Sequence, residues 1–127
     1  MFHVAIIGLS KVTDFEFFRE KCIYFLRAKA KEGIMIFTVE DNPLVNRFAA
    51  MYRINTKVFY PEWTKYGREA KKKRNYELLT NTDGIITFND GTTDTEMIKN
   101  LARELAVNIR NAVKQAPPPP PPISPSQ

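Results

Sequence analysis

Cysteine and histidine are almost absent from the sequence. The 127 residues contain one cysteine, Cys22, and one histidine, His3. A disulfide within the chain is therefore excluded, and a metal site built from Cys and His is disfavoured because such sites need several of these ligands. Cys22 falls on the apolar side of a predicted helix, which favours a reduced core cysteine over a nucleophile. We expect a reducing, cytoplasmic compartment and no bound metal or cofactor.

Long apolar runs are also missing. No stretch approaches the roughly 18 apolar residues that a membrane span requires. The apolar segment VAIIG near the N-terminus has neither the basic region nor the length of a signal peptide. We therefore expect a soluble protein with no membrane partner. The hydrophobic content of 43% is sufficient for one domain with a continuous core.

The charge is unevenly distributed. The formal net charge is +5 and the sequence pI is near 9.4, and much of the excess lies between residues 65 and 74. We define the basic patch by its five cations: Lys65, Arg68, Lys71, Lys72 and Lys73. Clustered cations favour polyanions, so nucleic acid is a candidate partner. An ordinary solvated helix face is the alternative.

Short apolar runs alternate with helical patterns along the chain. Runs typical of buried strands occupy residues 3–7, 34–39, 56–60, 85–88 and 106–109. Helices are predicted between them, and two have the spacing of a capping box: Thr13 with Glu16, and Thr93 with Glu96. A third helix should begin at Asn42 and Pro43. This alternation predicts an α/β three-layer sandwich with a mostly parallel sheet of about five strands.

The C-terminal segment has a different composition. Residues 117–122 are six consecutive prolines, followed by ISPSQ. Proline cannot continue a helix or a central strand, so residues 115–127 are predicted to be a disordered proline-rich tail after a domain of residues 1–114. An aromatic-lined groove on a partner is the functional alternative for this tail.

The carboxyl ends of the predicted strands carry the unusual residues. In parallel α/β sheets ligands bind at this edge. The segment 82–98 combines a buried strand, a turn with Gly91 and the start of a helix, an arrangement that favours an anion. Trp63 and Tyr66 could form a wall for stacking a ring, or cover a sheet edge or a contact in a homo-oligomer. Arg74 is the one cation of its run that lies toward the apolar side, where it either passes the core rim or reaches an anion.

Three segments resemble the YspA-like branch of the SLOG (Smf/DprA-LOG) superfamily, a group of Rossmann-like domains. They are VAIIGLS near the start, VFYPEWTKYGREAKKKRNYELL with its W-x-x-Y-G loop and Arg-Asn pair, and ITFNDGTTDTEMI with its single-glycine turn. The resemblance spans residues 2–110. It implies a Rossmann-like fold that binds a nucleotide or nucleotide-derived small molecule at the strand ends. The residues that match the family motifs are Gly8, Ser10, Trp63, Tyr66, Gly67, Arg74, Asn75 and Gly91. With Thr92, which follows Gly91 in the last turn, the ligand-binding candidates are Gly8, Ser10, Trp63, Tyr66, Arg74, Asn75, Gly91 and Thr92.

The sequence departs from the family pattern in two loops. After the second strand it has EDNPLVN, with two carboxylates and no glycine, and its last turn carries Asp90 where relatives have glycine. Carboxylates repel a phosphate, and glycine is what permits close backbone approach. At the position of the acidic residue in LOG-type phosphoribohydrolases stands Met97, with Glu96 beside it as a weak catalytic candidate.

Three functions follow from these observations. The first is binding of a nucleotide-like ligand without clear catalytic residues. The second is an interaction protein that kept the fold and lost the pocket, using the basic patch and the proline tail. The third is a LOG-type nucleotide phosphoribohydrolase. The short chain and its degenerate turns would suit a small viral relative.

Overall fold

Residues 1–113 are described by a computed structural model of the chain. The predicted proline-rich tail lies outside the described residues. Within residues 1–113, no helix has both the length and the apolar character needed to cross a membrane.

One sheet of five parallel strands forms the centre of the fold. The strands are β1 (Phe2–Ile7), β2 (Ile34–Thr38), β3 (Asn55–Val58), β4 (Gly84–Thr87) and β5 (Asn108–Asn111). Their spatial order is β3-β2-β1-β4-β5, and every neighbouring pair is parallel. The predicted α/β, Rossmann-like parallel architecture is confirmed. The fifth strand was predicted two residues too early, because its apolar residues precede the segment that pairs with β4.

Helices cover both faces of the sheet. They are α1 (Phe15–Leu26), α2 (Pro43–Tyr52), α3 (Trp63–Tyr66), α4 (Ala70–Thr80) and α5 (Thr93–Glu104), with short 3-10 helices at Arg27–Glu32 and Gly67–Glu69. Phe18 of α1 and Phe48 of α2 pack with Ile36 on one face. Leu78 of α4 and Ile98 of α5 pack with Ile85 on the other. The result is the expected three-layer arrangement.

Two helices have N-caps one residue away from those that the capping-box spacing predicted. Helix α1 is capped by Asp14, whose carboxylate accepts from the amide of Phe17 at 3.2 Å. Helix α5 is capped by Thr92, whose hydroxyl accepts from the amide of Thr95 at 3.3 Å. Adjacent residues of the types that favour N-caps leave the choice open in a sequence, and the chain path into the helix decides it. The cap of α2 at Asn42, with Pro43 in the first turn, is confirmed.

The single cysteine and the single histidine of the sequence lie apart from each other. Cys22 is fully buried in the core, as predicted, and this burial raises the pKa of its thiol. His3 lies on β1, with its Nδ1 atom 3.3 Å from the Asp83 carboxylate and its ring stacked on Phe37. Among residues 1–113 no cluster of three or more His, Cys, Asp or Glu side chains is arranged to hold a metal ion.

Candidate functional site

The strand order places the candidate site at the middle of the sheet. Strands β1 and β4 are neighbours, but the chain after β1 leads to β2 on one side and the chain after β4 leads to β5 on the other. Ligands of open α/β sheets bind in the crevice that such a reversal creates at the carboxyl ends. Gly8 and Ser10 follow β1 at this point, and Asn89 and Asp90 follow β4.

Gly8 allows the end of β1 to approach the end of β4. Its φ is +75°, and a Cβ atom at this position would lie 2.8 Å from the amide nitrogen of Asn89 and 2.9 Å from Oγ1 of Thr87. Both distances are shorter than side-chain carbons tolerate. The missing side chain therefore allows the two strand ends to pack closely. The assignment of Gly8 to a ligand stays a prediction.

Asp90 fills the junction. Its side chain is 7% exposed, and it accepts hydrogen bonds from the Ser10 hydroxyl at 2.6 Å and from the Thr92 amide at 3.1 Å. The Thr92 hydroxyl donates to it at 2.9 Å, and the Ser10 amide approaches it at 3.3 Å. Donors that could hold an external anion are thus directed at a carboxylate of the chain itself.

These contacts determine the ionisation of Asp90. Burial alone raises the pKa of a carboxyl group, but hydrogen bonds from Ser10, Thr92 and Thr95 outweigh it and hold the pKa of Asp90 well below its usual range. The carboxylate is therefore a permanent negative charge at neutral pH. The sequence marked Asp90 only as a departure from glycine, and nothing in its local pattern showed that Ser10, 80 residues earlier, would meet it.

Gly91 and Thr92 complete this loop in different ways. Gly91 has a φ of +75°, and a Cβ atom there would meet no atom within 4 Å. The positive φ therefore favours glycine at position 91, and the surface beside this residue is open. The Thr92 hydroxyl donates a hydrogen bond to the Asp90 carboxylate and accepts one from the Thr95 amide in the first turn of α5.

Arg74 lies in a second cluster, at the carboxyl ends of β2 and β3. It is 7% exposed. Its Nη1 atom donates to the carbonyl oxygens of Val39 and Phe59 at 3.4 Å each, and its Nε atom donates to Oδ1 of Asn75 at 2.8 Å. Within residues 1–113 it forms no ion pair.

The charge of Arg74 is only partly compensated. Burial lowers the pKa of the guanidinium, while the more distant carboxylates of Asp94 and Glu40 oppose that effect. Among the described residues, every side-chain nitrogen or oxygen that is inaccessible to solvent has a hydrogen-bond partner. Nη2 donates to no described residue, so this atom reaches solvent. The Arg74 side chain therefore offers one free, charged donor at the strand ends.

The aromatic pair follows β3 directly. Trp63 and Tyr66 begin and end the single turn of α3. Trp63 is 53% exposed, whereas Tyr66 is half-buried, with the Lys65 and Lys73 ammonium groups 5.1 and 5.8 Å from its ring centroid. Trp63 presents its ring to solvent. Tyr66 is surrounded by cations of the basic patch.

The basic patch is largely solvated. Lys65, Arg68, Lys72 and Lys73 are exposed. Lys71 differs because its ammonium group pairs with Asp94 at 3.0 Å, which connects α4 to the first turn of α5. Within residues 1–113, the other four cations of the patch form no ion pair. They lie on α3, on α4 and on the 3-10 turn between them.

Glu96, the weak catalytic candidate, is not held in an acid/base geometry. Its carboxylate pairs with the Lys99 ammonium at 3.6 Å and its side chain is half exposed. Lys99 also donates to Oδ1 of Asn89 at 2.8 Å. The carboxylate is therefore fixed on the surface of α5 by a neighbouring lysine.

The predicted residues thus fall into separate groups. Ser10 and Thr92 meet at Asp90, and Gly8 packs beside Thr87 and Asn89. Arg74 and Asn75 meet at the ends of β2 and β3. A cavity of about 20 Å³ lies between the ends of β1 and β2, lined in part by Gly8, Thr38, Val39 and Glu40. It has room for about one water molecule. This space is too small for a nucleotide.

A comparison with solved structures supports the fold. The X-ray structure of TM1055, a structural-genomics target, matches with a TM-score of 0.61 and 18% sequence identity, over 86% of this chain and 72% of TM1055. At this identity the likeness shows the fold alone. No family model and no curated protein matches the sequence, and membership of the YspA-like branch stays a prediction.

Proposed function

We propose that the protein binds a nucleotide or a nucleotide-derived small molecule, and that Arg74 holds its anionic group. The observation that carries this proposal is the state of Arg74. The guanidinium is almost fully buried, has no carboxylate within ion-pair distance among residues 1–113, and keeps one nitrogen accessible.

The energetic cost of that arrangement supports a ligand. Removing an ion from water costs several kcal/mol unless a partner compensates for it. Carbonyl oxygens of Val39 and Phe59 satisfy hydrogen bonds of Arg74 but supply only partial negative charge. A phosphate or carboxylate at Nη2 would supply the missing charge through the strong, directional contacts that guanidinium groups make with such anions.

The position of the anion differs from the one that the sequence indicated. The glycine-turn junction is occupied by the Asp90 carboxylate, which would repel a phosphate placed beside it. The accessible donor lies on the other side of β1, near the ends of β2 and β3. Trp63, exposed just after β3, is the ring available for stacking a base.

The experiment is a thermal-shift screen against nucleotides and nucleotide-derived signals at millimolar concentration, followed by calorimetry for any hit. Arg74→Met should abolish the hit. The matched control is Lys72→Met, which removes the same charge from an exposed position on the same helix and should leave binding unchanged. Absence of any shift across the panel, or equal binding by both variants, would refute the proposal.

A second candidate function is supported by the filled junction. Asp90 places a carboxylate where the fold would ordinarily receive an anion, and four of the five cations of the basic patch are exposed. An interaction protein of this type would bind an acidic partner or nucleic acid through solvated cations, with strong dependence on salt. Neutralising Lys72 and Lys73 together should then abolish binding to a polyanion. Neutralising Lys71, which is already paired with Asp94, should weaken it less.

A further inference from the structure

A second cavity lies at the opposite edge of the sheet from the strand ends described above. It is an open groove of about 620 Å³ between the C-terminal ends of α1 and α2, where β2 and β3 begin. Its volume falls within the range of sites that hold small molecules. No residue of the proposed nucleotide site lines it.

The floor of this groove is apolar. It is formed by four partly or fully exposed side chains, Ile23, Ala30, Ile34 and Ile54, together with the buried side chains of Leu26 and Phe48. Apolar surface of this extent gains free energy when a ligand removes it from water.

The rim is positively charged. Arg27 and Arg53 line the groove, and no Asp or Glu does. Within residues 1–113 neither arginine forms an ion pair. The Arg27 guanidinium lies 4.9 Å from the centroid of the Tyr24 ring, and neither arginine has a carboxylate partner within residues 1–113. Two such guanidinium groups beside an apolar floor fit a ligand with an apolar body and an anionic head.

The backbone conformation of Arg53 also supports an anion-binding site. This residue ends α2 with φ 54° and ψ 46°, in the left-handed region where helices usually carry glycine or asparagine. A side chain with a Cβ atom is strained there. Arginine at position 53 therefore has a more strained backbone than glycine would have there. It also places a cation at the mouth of the groove.

From these observations we infer that the groove is a binding site for a small amphipathic anion, such as a single-chain carboxylate of the fatty-acid type. The chain packs on the apolar floor while Arg27 and Arg53 bind the carboxylate. This site is separate from the proposed nucleotide site and does not depend on it.

The test uses the full chain and decanoate, with decyltrimethylammonium as a probe of similar chain and opposite charge. Isoleucine methyl resonances report the position of binding. We expect saturable shifts at Ile23, Ile34 and Ile54, and none at Ile85 and Ile98, which are buried on the other face of the sheet. The cationic probe should bind at least about tenfold more weakly, as loss of charge-assisted contacts predicts.

Variants distinguish the effect of losing a charge on binding from any effect on folding. Arg53→Gly relaxes the backbone, so it should fold at least as stably, yet bind decanoate about tenfold more weakly; Arg27→Gln should behave likewise in binding. Lys31→Gln, an exposed cation that does not line the groove, should leave the affinity unchanged. Ala30→Trp should fill the groove and prevent the shifts.

Three outcomes would overturn the inference. The first is the absence of saturable shifts with decanoate. The second is equal binding of both probes, which would show an apolar surface without anion selectivity. The third is a set of groove shifts that grow with protein concentration alone, which would identify a second copy of the chain as the occupant.

Discussion

The hydroxyl of Ser10 donates a 2.6 Å hydrogen bond to the carboxylate of Asp90 and so ties the end of β1 to the end of β4. The two residues are 80 positions apart in the chain. Together with Thr92 they place an internal negative charge at the point where an open α/β sheet ordinarily receives a ligand.

Replacing Asp90 with asparagine should lower the free energy of unfolding by about 2 kcal/mol at neutral pH, because the charged acceptor of several hydrogen bonds is lost. Urea denaturation measures this change. Asp94→Asn is the matched control: it removes an exposed carboxylate paired with Lys71, and should cost at most about 1 kcal/mol. Equal effects of the two substitutions would contradict the role assigned to Asp90.

The pH dependence of stability should follow from the same residue. The folded pKa of Asp90 is lowered, so its ionised form contributes stability that is complete above the unfolded pKa of about 4. That contribution decreases as the pH falls from there toward the folded pKa. The stability difference between the wild type and Asp90→Asn should therefore be constant near neutral pH and become smaller below about pH 4. A difference that grows with acidity would show the opposite sign of linkage.

Two glycines with the same backbone conformation should respond differently to alanine. Gly8 and Gly91 both have a φ of +75°, so Ala at either site costs about 1–2 kcal/mol of backbone strain. At Gly8 the added Cβ atom also meets the amide of Asn89 at 2.8 Å, whereas at Gly91 it meets nothing within 4 Å. We expect Gly8→Ala to lower the unfolding free energy clearly more than Gly91→Ala in parallel denaturation curves. Similar losses would show that the chain at Gly8 relaxes around the contact.

Arg74→Met should separate stability from binding. Methionine fills much of the same space without an uncompensated charge, so the unfolding free energy should rise by about 1 kcal/mol although ligand binding is lost. Melting curves with and without the ligand measure both effects. A destabilised variant would mean that the hydrogen bonds to Val39, Phe59 and Asn75 outweigh the cost of burying the charge.

Cys22 should be unreactive in the folded protein. The thiol is fully buried and burial raises its pKa, so almost no thiolate exists near pH 8. A thiol reagent should label Cys22 at the rate of unfolding, and labelling should accelerate in urea in step with the unfolding transition. Rapid labelling without denaturant would indicate that α1 opens locally.

The regular elements could be predicted because their causes are local. The apolar runs at residues 3–7 and 34–39 and the helix start at Asn42 and Pro43 each contain the residues that determine their own structure. Where neighbouring residues compete for one role, as Thr13 and Asp14 do at the start of α1, the sequence left the outcome open. Arg74 was assigned correctly to the apolar side of α4 because helical periodicity suffices for that.

The candidate site could be predicted only in part. Sequence reasoning placed Gly8, Ser10 and Gly91 in turns that follow strands, and these residues follow β1 and β4 in the structure. Their roles in binding stay predictions. Sequence reasoning did not show that Asp90 would receive the hydrogen bonds of Ser10 and Thr92. Such pairing depends on the register of β1 with β4, which no segment of the chain encodes alone.

The sequence by itself determined the alternation of the strands with the longer helices, the burial of Cys22 and the position of Arg74 on the apolar side of α4. Periodicity and composition are sufficient for these, because each depends on neighbours within a few residues. Only the tertiary structure decided that Asp90 occupies the central junction, that Arg74 keeps one free nitrogen, and that Arg27 and Arg53 flank an apolar groove. These features arise where distant segments meet, and the order and register of the parallel strands set that meeting.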